Sequence, residues 1–435
     1  MNRKALVSVA VMLVLPQLSF AQEAPPQQAD DHASATNSER VWKFSWDNRP
    51  SLRYGDLLRI DFRARLTGDL RRSEASLRDT DTSRFDIARR RIGVSGEIGG
   101  VADFQVEREL AHARPWRDVY VDYHRFNGVR IQAGQFKLPF GLDENTSSAN
   151  LDFVYRSRAA ELSPGRDPGV MVHGRAGVLR YEAGMFAHDG DNARGNDTVR
   201  VSGGRTAAGR LLVQPFRSST SLLLKDLQAG IAYTSSRVSA GIADLRVDTA
   251  LGQPFFRPGL AVQGTRSRAG VEMRWRPGPF SVQSEFVRLT SERRGQSIDE
   301  TDLPPLRADA WYAQGGWVVT GERKAKGGAD EPRRPLFRGG AGAVELAARI
   351  EAVRLSSSGP GLPSTGPRAE AILPYRDRVL TLGVNWSPNR WVRVQANLVR
   401  DRLSMPTAGD FAGGALPERA ASSFWSRVVR FRFAM

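Results

Sequence analysis

VRIQAGQFKLPFGLDENTSSANLDFVYRSRAAELSPGR, residues Val129 to Arg166, begins as a strand and then abandons the pattern. Val129, Ile131 and Ala133 alternate with Arg130, Gln132 and Gly134, the two-residue period of extended chain. The alternation ends at Lys137 and the Pro139-Phe140-Gly141 turn, and a polar NTSS run and arginines 156, 158 and 166 follow. The segment is too long and too polar for a hairpin turn, and structureless stretches of this length inside a compact region are functional or disordered. Phe140, Leu142, Leu151, Phe153, Val154 and Tyr155 argue against disorder, since a solvated tip has no use for them. The expectation is a segment that leaves its strand and packs inward, presenting hydroxyls and guanidiniums.

Upstream and downstream the same alternation recurs. In LRIDFRARL, Leu58, Ile60, Phe62, Ala64 and Leu66 oppose Arg59, Asp61, Arg63 and Arg65. RRRIGVSGEI sets Ile92, Val94 and Ile98 against Arg89, Arg91, Ser95 and Glu97, and a Gly99-Gly100 turn leads into VADFQVERE, a hairpin signature. RDVYVDY places Asp118, Tyr120 and Asp122 on one face, and Asn127-Gly128 then turns the chain into the opening stretch. TRSRAGVEMRWRPG carries a second arginine row, Arg266, Arg268, Arg274 and Arg276, opposite Ala269, Val271, Met273 and Trp275. Short turns at one end and long excursions at the other imply an all-β fold, a transmembrane antiparallel β-barrel with apolar residues toward lipid and polar ones toward the lumen. Trp311, Trp317, Trp386, Trp391 and Trp425 are expected near strand ends, as an interfacial girdle requires.

The compartment follows from the first residues. MNRK, the apolar run ALVSVAVMLVLP and Ser19-Phe20-Ala21 make a cleavable signal peptide over 1–21, too short in its apolar part to span a bilayer. Residues 22–48 read as a polar, flexible lead-in and 49–435 as one barrel domain of the cell outer membrane. A mean hydropathy of −0.39 would ordinarily indicate a water-soluble chain, but barrel strands conceal their apolar half by alternation. With no cysteine, the exported fold carries no disulfide staples.

Without residues 1–21 the chain has 61 basic against 47 acidic residues, and all but six of its 63 basic residues are arginines. The excess implies an anionic partner, and the guanidinium fork matches phosphate oxygens in pairs. Catalytic and metal-binding patterns are missing. There is no Cys, no zinc spacing among His32, His112, His124, His173 and His188, no Walker loop and no G-x-S-x-G elbow, so no cofactor or metal is expected. Asp189, Asp191, Asn192 and Asp197 have the wrong order for a calcium loop and read as a solvated external loop. Two alternatives stay open: an outer-membrane lipid hydrolase assembled from separate strands, and a soluble exported phosphate- or nucleotide-binding β protein. A nucleic-acid binder would cluster its arginines on one exposed face, so nucleic acid is not an expected partner.

GQFKLPFGLDENTSS, LDFVYRS and SPGRDPGV, with GVNWSPNRWVRVQANLVRD near the end, resemble the phosphate-selective porin family of Gram-negative outer membranes. The resemblance covers most of the chain after about residue 50, the middle third weakly. It implies a 16-stranded barrel with an inward-folded constriction loop, a homotrimer, and passive passage of small anions, phosphate or polyphosphate foremost. Carried onto this chain, it makes Ser147, Ser148 and Arg156 the anion ligands, with Lys137 and Asp118 beside them; Arg158 and Arg166 belong to the same segment. Arg59, Arg63, Arg65, Arg89, Arg91, Arg130, Arg266, Arg268, Arg274 and Arg276 are the expected pore-lining arginines. Glu144 departs from the family pattern, which has a lysine there, and puts phosphate preference in question. Ser147 and Ser148 could also cap a short helix in the loop.

Overall fold

The computed structural model describes residues 41–435, except 75–82, 111–114, 191–202, 222, 244–246, 250, 253, 257–258, 326–327, 330–331, 362–363, 365 and 407–422. Sixteen antiparallel strands form the wall. The first eight are β1 (Leu58–Ser73), β2 (Ser83–Ile98), β3 (Ala102–Glu109), β4 (Trp116–Phe126), β5 (Val129–Lys137), β6 (Arg166–Ala176), β7 (Leu179–Phe186) and β8 (Gly203–Val213). The rest are β9 (Gln228–Ala243), β10 (Leu260–Trp275), β11 (Phe280–Arg293), β12 (Leu303–Val318), β13 (Ala343–Ser357), β14 (Ile372–Ser387), β15 (Val392–Ser404) and β16 (Ser423–Ala434). Each pairs with its neighbours in sequence, and β16 returns to β1 through Ser426↔Ser73 to Ala434↔Arg65. That pairing closes the barrel and removes the free edges a membrane could not hydrate.

Side-chain parity sets what faces outward. On β1, Leu66 and Leu70 are 52% and 49% exposed, whereas Thr67 and Asp69 between and beside them are 1% and 2% exposed. The same holds for Ile92 on β2, Val121 on β4, Ile231 on β9, Val271 on β10 and Ile350 on β13, all exposed apolar residues. An apolar face turned away from the lumen is what a lipid solvent demands.

Tight turns join the strands at one end, at Gly99-Gly100, Asn127-Gly128 and Gly177-Val178, although 214–227 and 319–342 are longer. Trp317, Trp386 and Trp391 lie at this end, with Trp275 and Phe280, and Trp386 Nε1 donates to the carbonyl of Ala341 at 2.8 Å. Trp425 lies near the other end. Trp311 departs from the expected girdle: it sits midway along β12, exposed on the outer face, because outward parity rather than proximity to a turn placed it.

The signal peptide expected over 1–21 lies outside the described residues. The lead-in expected to reach residue 48 ends sooner, because Trp42–Trp46 and Pro50–Tyr54 form a hairpin whose second strand pairs with the lower part of β1, Tyr54↔Leu58 to Ser51↔Asp61. The alternation of Trp42, Phe44 and Trp46 carries that strand, and the polar composition before it obscured the boundary. Arg166, read as the end of the loop, is the first residue of β6.

Candidate functional site

Residues 138–165 enter the lumen between β5 and β6. The turn needs Gly141, whose φ of +78° is a left-handed conformation; a Cβ there would stand 2.7 Å from Glu285 Oε1 and 2.9 Å from Ser163 Oγ. A short helix α1 (Leu142–Asn145) follows, and its first amides, Leu142 and Asp143, each donate to the Glu285 carboxylate of β11 at 3.1 Å. Asp143 in turn accepts from the backbone N–H and hydroxyl of Ser157 at 2.8 and 3.1 Å. Ser157 caps α2 (Arg158–Leu162), its Oγ accepting from the amide of Ala160 at 3.3 Å. Capping therefore falls to Ser157 rather than to Ser147 or Ser148, which follow α1.

The loop is held against one side of the barrel. Phe140, Ala159 and Leu162 pack into a buried apolar cluster with Val287, Leu289, Ala308, Ala310, Tyr312 and Val353, inward residues of β11 to β13. This part of the inner wall differs from the polar lining expected of it, because it is a seat and does not meet solvent. Glycines make room in it: the ring of Phe140 lies 3.1 Å from where a Cβ of Gly270 would be, and that of Phe153 3.2 Å from a Cβ of Gly383.

Buried charges complete the anchorage. Arg158 is 1% exposed, with Glu161 at 2.7 Å, Asp377 at 3.4 Å and Asp401 at 3.7 Å, and its backbone N–H donates to Glu351 at 2.7 Å. Burial alone would lower the Arg158 pKa, but Glu161 and Asp377, then Glu351 and Asp401, raise it and keep the guanidinium charged. Arg349 lies over the ring of Phe153 at 4.6 Å and donates to the carbonyl of Tyr155 at 3.2 Å. Asp152 pairs with Lys324 at 2.5 Å, and Lys324 also contacts Glu345, itself 3.0 Å from Arg393. Arg430 grips Asp69 bidentately at 2.7 and 2.6 Å and donates to the carbonyl of Val154 at 2.7 Å.

The opposite face of the loop looks across an open cavity of about 580 Å3 toward β1 to β7. Among the described residues, nine cations line it, Arg63, Arg65, Arg89, Arg91, Arg117, Lys137, Arg156, Arg166 and Arg180, against five acids, Glu107, Glu109, Asp118, Glu144 and Glu182. Some of the cations are already matched. Arg91 reaches Glu109 at 2.7 Å and Glu107 at 3.0 Å, Arg166 takes both oxygens of Asp118 at 2.9 Å, and Arg180 is 2.6 Å from Glu182. Glu144 stands between Lys137 at 3.4 Å and Arg156 at 3.3 Å, and both cations also donate to loop carbonyls, Arg156 to that of Thr146 at 2.8 Å. Among the described residues, Arg65, Arg89 and Arg117 have no carboxylate within ion-pair distance, and Arg63 donates to Gln105 at 2.7 Å. Arg65 Nη1 donates to Ser148 Oγ at 2.8 Å, and Ser147 is exposed beside it.

Of the residues singled out from the sequence, Ser147, Ser148, Arg156, Lys137, Asp118, Arg166, Arg63, Arg65, Arg89 and Arg91 meet around this cavity. The others do not. Arg158 is an anchor. Arg59 pairs with Asp61 at 3.3 Å, and Arg130 with Asp122 at 2.9 Å and with Asp103, all toward the tight-turn end. Arg266 and Arg268 both bind Asp189 at 2.7 Å. Burial alone would raise the Asp189 pKa, but these two guanidiniums hold it well below the usual carboxylate range. Arg274 and Arg276 border a narrow crevice behind the loop with Asp143 and Arg349.

Arg117 was not foreseen. A register shift against Val106–Arg108 places it on the same side as Asp118, whereas strict alternation assigns it outward. Asp191, Asn192 and Asp197 lie outside the described residues.

Comparison with known proteins agrees with this architecture. The model of the family "Phosphate-selective porin O and P" matches residues 60–404. Porin O of Pseudomonas aeruginosa is 25% identical over 355 residues, covering 72% of this chain and 76% of its own. Among solved structures, the trimer form of OmpT of Vibrio cholerae superposes with a TM-score of 0.54 at 15% identity, over 87% of this chain and 100% of that one. The anion-selective porin from Comamonas acidovorans superposes with 0.51 at 12% identity, over 87% and 100%. With a matched segment that takes in nearly the whole barrel, the chain belongs to the phosphate-selective porin O and P family and is an outer-membrane porin.

Proposed function

We propose that the porin passes small oxyanions, phosphate and polyphosphate foremost, by passive diffusion through the cavity between the inward loop and β1 to β7. The observation that carries the reading is the set of cations that have no carboxylate partner among the described residues, Arg65, Arg89 and Arg117, lining the same cavity as the hydroxyls of Ser147 and Ser148. An anion entering a narrow passage loses hydration, and guanidinium and hydroxyl donors replace it; neighbouring acids keep each site weak enough to release the ion. Glu144 already engages Lys137 and Arg156, so the binding centre is displaced from Arg156 toward Arg65, Arg89 and Ser148. A broad oxyanion preference follows from this arrangement better than a tight phosphate site does. Passage of this kind needs no catalytic group. The homotrimer is part of the same proposal, supported by family membership and by the trimer form of the Vibrio cholerae neighbour.

Planar-bilayer recording tests the reading. Reversal potentials under a KCl gradient are expected to show chloride preference, and phosphate is expected to block the chloride current. Arg65→Gln should weaken that block by roughly fivefold, about 1 kcal/mol for one partly solvated charge contact. A cation-preferring channel, or a block unaltered by the substitution, overturns the proposal.

A further inference from the structure

The outer face of β13 to β15 carries five arginines where lipid-facing residues are expected. Arg354, Arg376, Arg378 and Arg402 are exposed and Arg400 is half-buried, and all share the outward parity of Ile350, Leu382 and Val384. The register brings them together: Arg354 is directly opposite Arg376, Arg378 directly opposite Arg402, and Arg400 opposite Leu380. Like charges facing each other across a ladder destabilise the pair. The nearby acid on this face, Asp309, is taken by Arg288 at 2.7 Å, and among the described residues none of the five has a carboxylate within ion-pair distance.

Their height is informative. Arg378 stands eight residues along β14 from Trp386, and Arg400 nine residues beyond Trp391, which immediately precedes β15. At about 3.3 Å per residue and a tilt of about 40°, the cluster lies roughly 20 Å above the aromatic girdle of the tight-turn end. An apolar band is about 25 Å tall, so the arginines sit at its far edge, where a charge is tolerated and headgroups begin.

Below them the same face is hollowed. Gly315, Ala348 and Ala396 are small outward residues between Trp317, Leu346 and Leu398, and they floor an apolar groove of about 910 Å3. A second recess of about 750 Å3, bordered by Trp311, Ile350 and Leu380, holds the arginines themselves. A cationic cradle above a small-residue groove complements an amphiphile with several negative charges at its head and a long acyl chain.

We propose that this face binds a lipid of the outer leaflet whose headgroup bears two phosphates, with the phosphates on the Arg354–Arg376 and Arg378–Arg402 pairs and an acyl chain in the groove over Ala348. Guanidiniums take phosphate oxygens in bidentate fashion, and two adjacent pairs suit two phosphates better than one. The site is separate from the lumen, so its occupancy leaves conduction intact.

The test uses the full-length porin in detergent, titrated with diphosphorylated lipid A, its monophosphorylated form, or free pyrophosphate, with native mass spectrometry reading retained lipid. The wild type should retain the diphosphorylated lipid at least tenfold better than the triple variant R376Q/R378Q/R402Q, and the monophosphorylated lipid more weakly. Ala348→Trp, which fills the groove without changing charge, should weaken both lipids and leave single-channel conductance unchanged. It also keeps the proposal testable should the triple variant fail to fold. Equal retention by wild type and variants overturns it. Full displacement of lipid by pyrophosphate, with Ala348→Trp silent, would make the cluster a free-anion site and also overturn it. A change of oligomeric state in the triple variant would assign the face to a second copy of the chain, with the same consequence.

Discussion

The two halves of the barrel interior use arginine for opposite ends. On the side of β10 to β16, Arg158, Arg349, Arg393 and Arg430 are buried and matched to carboxylates or carbonyls, and aliphatic residues seat the loop among them. On the side of β1 to β7, Arg65, Arg89 and Arg117 border the open cavity, and among the described residues none of them has a carboxylate within ion-pair distance. One half holds a polypeptide still and the other offers charge to something that moves. Composition does not separate them, since both are arginine-rich; the difference lies in how many acids each guanidinium finds.

Disturbing the holding side should have the largest effect. Arg158→Met leaves Asp377 and Asp401 buried without their cation and should cost about 3–5 kcal/mol, read as a lower unfolding temperature in detergent together with larger, noisier channel currents. Unchanged stability and currents would mean the loop is not held there. Gly383→Val pushes a side chain into the ring of Phe153 and should cost about 1–3 kcal/mol by overpacking, with smaller changes in the same two readings.

On the open side, Glu144→Gln removes the carboxylate shared by Lys137 and Arg156 and should tighten phosphate block roughly fivefold, about 1 kcal/mol. A weaker block would show that Glu144 orders the site instead of competing with the ion. The smallest effect concerns acid. The folded Asp189 pKa is depressed by Arg266 and Arg268, so its contribution is fully present above the unfolded value of about 3.9. It fades as pH falls from there through the folded value. Asp189→Asn should therefore flatten the acid limb of a stability-against-pH curve and leave neutral pH conduction as it was.

Much of the wall was legible in the chain because strand parity is local: Leu66 and Asp69, or Ile92 and Arg91, declare their faces by alternation alone. The inward loop declared itself by breaking that rule while retaining aromatic residues. The fate of each arginine was not legible. Arg156 and Arg158 are two positions apart, yet one borders the cavity and the other is sealed among acids more than 190 residues downstream, Glu351, Asp377 and Asp401. The same distance hides the hollow at Gly383, whose purpose appears only when Phe153 lies in it. Arg117 escaped notice for a nearer reason, a bulge that reverses parity for one residue.

The long reach of those anchors has a bearing on how the molecule is made. Val154 awaits Asn397 and Arg430, separated from it by 243 and 276 positions, and Tyr155 awaits Arg349 across 194. During assembly the segment has none of these partners until the last four strands arrive, and contacts so distant in sequence form slowly. Once β16 zips to β1 there is no side door, so the segment must already lie within the ring as it shuts. Insertion and plugging are thereby one event, and an intermediate with an unobstructed bore is expected only where the final strands are late.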